Sequence, residues 1–139
     1  MIEPKKAAFS FIDFKIPKFS YNEIGGEGSD LTIGFSPSGV YNSKTGEFEI
    51  NFKFVAKRPS DPENTIIDLF MTAIFKFKTP IEFAEIPDYF YKNSIAIAFP
   101  YLRAFISTLT LQANTKLLKL GLLNLSELDQ PLKENTVVV

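Results

Sequence analysis

Hydrophobic and polar residues alternate most regularly between Thr45 and Lys57. Phe48, Ile50, Phe52 and Phe54 fall on one side, and Glu47, Glu49, Asn51 and Lys53 on the other. A period of two sustained in this way predicts a strand with one buried face. A second long strand is predicted over Thr65–Thr79, where Ile67, Leu69, Met71, Ala73, Phe75 and Phe77 share a face without a polar residue. Its other face is mixed, with Ile66, Asp68, Phe70, Thr72, Ile74, Lys76 and Lys78. Between the two strands, residues 58–64 hold Pro59 and Pro62 and turn the chain. Upstream, Ala8–Pro17 reads as an aromatic-rich strand closed by Pro17, and Gly25–Asp30 as a glycine-rich loop. Leu31, Ile33 and Phe35 then alternate in a short strand that Pro37-Ser38-Gly39 ends.

After Pro80 the spacing becomes helical. Ala98, Tyr101, Leu102, Phe105, Ile106 and Leu109 recur at three- and four-residue intervals and predict an amphipathic helix of about three turns. Pro100 falls near its start, where the ring opens or kinks the helix. The leucines at 117, 118, 120, 122, 123, 125 and 128 surround Gly121 and predict an apolar loop followed by a weak helix. Pro131 closes the ordered part, so residues 1–130 form one domain and 131–139 a flexible tail. Strands first and helices afterwards specify an α+β domain: an antiparallel sheet with helices packed on one face.

Composition narrows the chemistry. The chain has 139 residues, the size of one domain, with 45% hydrophobic and 22% charged residues. Fifteen basic residues against sixteen acidic ones lack the basic excess of a nucleic-acid binder. There is no Cys and no His, which removes disulfides, thiolate and imidazole metal sites, Cys nucleophiles and His-based triads. Glycines 25–28 are not followed by the Lys-Ser/Thr of a phosphate-binding loop. Glu82, Glu85 and Asp88, like Glu47 and Glu49, do not show the ligand spacing of a calcium loop and read as solvated charge. Ser20, Ser29, Ser38 and Ser107 have no His to activate them. No catalytic residue, metal or cofactor is therefore expected, and a carboxylate-based enzyme ranks last. Neither a signal peptide nor a run of eighteen apolar residues is present, so a cytoplasmic protein without membrane insertion is expected. What remains is a surplus of apolar side chains, fifteen Phe among them, beyond what one small core needs. Such a surplus implies subunit interfaces or a groove for apolar ligands.

The segment Phe99-Pro100-Tyr101-Leu102-Arg103-Ala104-Phe105-Ile106-Ser107-Thr108-Leu109 resembles the SecB family of protein-export chaperones, which carries F-P-Y-x-R-x-x-I-S-x-L at the start of its long helix. Leu118, Leu120, Leu123-Asn124-Leu125 and Leu128 fall where that family has its L-N-L-x-P-V-N-F-x-x-L stretch. Ile67-Asp68-Leu69 and Ala73–Phe77 resemble its last strand, and Glu47–Ala56 the strand before. The resemblance covers roughly residues 7–130. It implies a SecB-like fold with a four-stranded antiparallel sheet, assembled as a homotetramer, a dimer of dimers. It also implies ATP-independent capture of unfolded or precursor polypeptides in apolar grooves. Phe19, Tyr21, Ile24, Leu120, Leu122, Leu125 and Leu128 are the client-binding candidates it points to. The oligomer interface would hold Ile67, Leu69 and Met71, with Tyr101 and Phe105. Asp68 matches one carboxylate position used for docking on the SecA motor, whereas Lys15 stands where another acid aligns. The loop between the first two strands has no Trp, and Lys116 and Leu122 replace the prolines of the leucine-rich stretch. Some SecB-like proteins instead serve toxin–antitoxin systems, and a pocket for a small hydrophobic ligand is the reading outside this family.

Overall fold

A computed structural model describes residues 8–23, 31–118, 120 and 123–139. Four strands, β1 (Phe9–Tyr21), β2 (Thr32–Asn42), β3 (Glu47–Arg58) and β4 (Asp61–Phe77), are followed by the helix α1 (Asp88–Gln112). A short helix α2 (Asp129–Glu134) and a strand β5 (Thr136–Val138) come last. The sheet order is β1-β4-β3-β2-β5, antiparallel throughout except that β5 runs parallel to β2. The α+β class with helices against one sheet face is as expected; the fifth strand is an addition.

The alternation in β3 and β4 decides which face is covered. Phe48, Ile50, Phe52 and Phe54 of β3 and Ile67, Leu69, Met71, Ala73 and Phe75 of β4 are fully buried beneath α1. The helix returns Phe90, Ile95, Ala98, Leu102 and Ile106 to the same core. Phe90 is its aromatic centre, with ring centroids 4.9 Å from Phe9, 4.8 Å from Phe48 and 4.9 Å from Phe77. Burial of such rings and their edge-to-face contacts supplies the largest share of the driving force. The other sheet face is open and mostly polar, with Glu47, Lys53, Asp68 and Lys76 exposed. α1 is long and apolar enough to cross a membrane, but its apolar side is taken up by the sheet.

Prolines mark where the elements depart from expectation. β1 continues through Pro17 because the ring falls in a bulge between Lys15 and Lys18 on an edge strand. β2 continues through Pro37 for a related reason. The Gly39 amide donates outward to the Asn135 carbonyl of the β5 side at 3.1 Å. Two residues earlier the Pro37 nitrogen faces the same outer edge, so its missing N–H takes nothing from the β3 ladder. Gly39 itself is required for close approach, since a Cβ there would lie 2.6 Å from the Phe48 ring and 2.8 Å from Thr136 Oγ1. The loop expected at 58–64 contracts to a tight turn at Pro59-Ser60, and β4 starts at Asp61.

α1 has 25 residues, so Pro100 lies inside it and not near its start. The ring is tolerated because it projects from the exposed side, away from the sheet. Residues 131–139, read from sequence as a flexible tail, contribute most of α2 and all of β5. Leu132 is fully buried and anchors them, and three strand residues are too few to produce a periodic signal. Ile67, Leu69 and Met71, expected at a subunit interface, are fully buried within the single chain. Their apolar face is covered by this chain's own helix and offers no area to a partner.

Two outcomes follow. Leu69→Asp buries an unpaired carboxylate and should destabilise the monomer by more than about 4 kcal/mol, seen as loss of cooperative urea unfolding and not as a folded, smaller oligomer. Tyr91 is 1% exposed and its hydroxyl has no hydrogen-bond partner among the described residues. Its pKa is pushed up to about 12, first by burial and then by the charges of Asp88 and Tyr41. The unfolded chain then loses this proton first, so stability should fall as pH rises from about 10 toward 12. Tyr91→Phe should remove that part of the slope while leaving neutral-pH stability equal or higher. An identical slope in both proteins would contradict it.

Candidate functional site

α1 lies along the sheet with two flanks, and each borders a depression. On the β1 side, rings of the edge strand pack against the helix. Phe11 and Phe14 lie 5.1 Å and 4.7 Å from Tyr101, and Phe19 lies 5.1 Å from Phe105. Ala8, Phe9, Phe11, Tyr89, Asn93, Ala96 and Ile97 line an open groove of about 610 Å³ there. Ile97 and Tyr101 remain substantially exposed, at 37% and 43%. Ile12, displaced outward by a bulge, is 56% exposed.

The β2 side holds a second trough of about 370 Å³. Its floor is the α1 stripe Lys92, Ala96, Phe99, Pro100 and Arg103, and its far wall is Leu123, Leu125 and Ser126. The wall is held by hydrogen bonds that start at the helix end. Thr110 Oγ1 accepts from the Leu118 amide at 3.0 Å, and Ser107 Oγ donates to the Leu118 carbonyl at 3.2 Å. The chain reverses at Asn114, whose φ of 58° is the left-handed helix-ending conformation that Asn tolerates. Asn124 Oδ1 then accepts from the Ser126 hydroxyl at 2.7 Å and its amide at 3.1 Å, shaping the turn that carries Leu125. Ser107 is thus a structural hydroxyl. Arg103 stacks over the Phe99 ring at 5.9 Å, keeping its charge at the trough mouth.

The expected client-binding residues do not form one site. Leu125 lines the β2-side trough, and Leu128 is half-buried against the core beside it. Leu120 is a core residue, 5% exposed, and has little surface to offer. Phe19 and Tyr21 lie at the far end of β1, where the Tyr21 hydroxyl meets Thr115 Oγ1 at 2.7 Å. Ile24 and Leu122 lie outside the described residues. Lys92, Phe99, Pro100 and Arg103 were not singled out as site residues, although their spacing places them on one helix face. Asp68 lies on the open sheet face, in a depression of about 260 Å³ shared with Lys18, Lys53 and Phe70. Two lysines beside one carboxylate make that surface mixed, not acidic. Among the described residues no cluster of three or more acidic side chains is arranged to hold a metal ion.

No family model matches the sequence, and no curated protein matches it. Solved structures do match. The Mycobacterium tuberculosis Rv1957 SecB-like chaperone, in complex with a ChAD peptide from the Rv1956 HigA1 antitoxin, superposes with a TM-score of 0.66. It is 16% identical, over 84% of this chain and 88% of that one. A protein of unknown function from Streptococcus agalactiae matches with a TM-score of 0.53 at 10% identity, over 82% and 97%. The chain thus has a SecB-like fold, in which its own helix α1 is bordered by a depression on each flank.

Proposed function

We propose that this chain is a non-enzymatic, ATP-independent chaperone that holds unfolded polypeptides in apolar troughs beside α1. The observation that carries the proposal is the solvent-open trough floored by Ala96 and Pro100 and walled by Leu123 and Leu125. Burial of apolar side chains is non-directional, so such a surface accepts many sequences without reading one. A trough open to solvent suits a chain that continues past both ends better than an enclosed small molecule. The neighbouring SecB-like chaperone was captured with an antitoxin peptide, which favours a toxin–antitoxin partner as the more specific version of this reading. The mixed charge around Asp68 gives less support to SecA docking, and a role in export rests on the resemblance alone. The cytoplasm is the proposed place of action.

The same reading calls for an oligomer, proposed as a homotetramer. Its interface belongs on the β1 side of α1, at the exposed Ile97 and Tyr101 and beside the open edge of the 13-residue β1. A long edge left unpaired by the described residues, next to an apolar helix flank, is what a partner subunit would cover.

Suppression of aggregation of a slowly refolding client, without ATP, checks the function. The purified protein should suppress it, saturating near one client per oligomer, and Leu125→Asp should weaken suppression several-fold while the thermal melt is kept. No suppression at several-fold excess over client would sink the proposal. Tyr101→Asp should lower the mass found by light scattering while circular dichroism is unchanged. A mass equal to that of the unaltered protein would place the interface elsewhere.

A further inference from the structure

The β2-side trough is bracketed by two cations. Lys92 and Arg103 are eleven residues apart on α1, which puts their Cα atoms about 16 Å apart along the axis. Both line the trough, and among the described residues no acidic side chain does. Asp88, one turn before Lys92, has its carboxylate 3.2 Å from Lys133. Among the described residues neither trough cation is in an ion pair. Between them the floor is apolar, formed by Ala96, Phe99 and Pro100.

We infer that the trough selects extended polypeptide segments in which about five apolar residues are flanked on both sides by Asp or Glu. The length follows from the geometry, since an extended chain rises about 3.3 Å per residue and covers 16 Å in roughly five. The sign follows from charge complementarity. An acid at each end of the segment meets Lys92 at one mouth and Arg103 at the other, while the apolar core lies against Pro100, Leu123 and Leu125. A basic flank brings like charges together and is disfavoured. This deepens the chaperone reading and rests on it: the trough captures polypeptide, and its charges decide which.

The test uses three fluorescein-labelled peptides with one apolar five-residue core, flanked on each side by two Glu, two Ser or two Lys, titrated with the full chain. The Glu-flanked peptide should bind about fivefold tighter than the Ser-flanked one, and the Lys-flanked peptide more weakly than either. About 0.5 M NaCl should bring the three together. Shortening the peptide to a two-residue core with one Glu at each end, whose acids are only about 10 Å apart and cannot sit at both cations, should remove roughly half of the Glu advantage over its Ser-ended counterpart on a logarithmic scale. Lys92→Glu combined with Arg103→Glu should invert the order; Lys92→Glu alone, which leaves the Arg103–Phe99 contact in place, should reduce the preference without inverting it. Equal binding of all three peptides, tightest binding of the Lys-flanked one, or an unchanged order in the double variant overturns the inference and leaves the chaperone reading standing. Binding of none, together with no suppression of client aggregation, overturns both.

Discussion

The molecule depends on a match of lengths between one strand and one helix. The buried run of β4 from Ile67 to Phe77 extends over about 33 Å, and the 25 residues of α1 over about 37 Å. The two run antiparallel, with Phe90 set against Phe75 and Phe77 at one end. At the other end Phe105 meets Phe19, which is paired with Leu69. A strand face without a polar side chain must be covered along its length, and here a single helix does so. A helix can direct only part of its circumference at a sheet. With one long helix across a five-stranded sheet and the short α2 packed beside it, both flanks of α1 still border depressions. Part of the surplus of apolar side chains is therefore a consequence of this economy of cover and lies beside α1, at Tyr89, Ile97 and Tyr101.

Much of this was legible in the sequence, for reasons particular to each element. β3 and β4 announce themselves because they are central strands with one face covered, so alternation is enforced by burial. β2 beyond Pro37 was hidden, because a proline whose nitrogen faces an outer edge leaves no mark in the hydrophobic pattern. The first half of α1 was hidden as well. Tyr89, Phe90 and Tyr91 are consecutive aromatics of which one is exposed and two are buried, and such a triplet carries no period. β5 has three residues and depends on Gly39 and Leu132, neither of which signals a strand. The candidate site was half legible. Leu125 was found from its place in the leucine-rich stretch, but density of leucines does not separate a trough wall from a core residue such as Leu120. Lys92 and Arg103 were missed because charges eleven residues apart become a pair only when the helix is known to be continuous through Pro100.

That Ile67, Leu69 and Met71, expected at a subunit interface, are buried within one chain has a related cause. Sequence shows that a face is apolar; it does not show which element covers it. In a chain whose helix is as long as its strand, the intramolecular cover comes first, because it is formed without the translational entropy that association costs. Area left for partners is then whatever the helix does not reach, which moves the search from β4 to Ile97, Tyr101 and the β1 edge.

The segment Phe99–Arg103 shows how closely cover and function are joined. Leu102 enters the core, Tyr101 turns to the β1 flank against Phe11 and Phe14, and Phe99, Pro100 and Arg103 line the β2-side trough. Five consecutive residues thus serve three surfaces. A proline inside a helix costs about 3 kcal/mol relative to alanine, and folding alone gives no reason to place it there. Its position is informative, because Ala96, whose carbonyl loses its helical donor to Pro100, is exposed and lines the depressions on both flanks of α1. On the buried side the same carbonyl would be desolvated and unsatisfied. The loss of one helical hydrogen bond thus falls on the exposed side of α1, beside the surface proposed for binding.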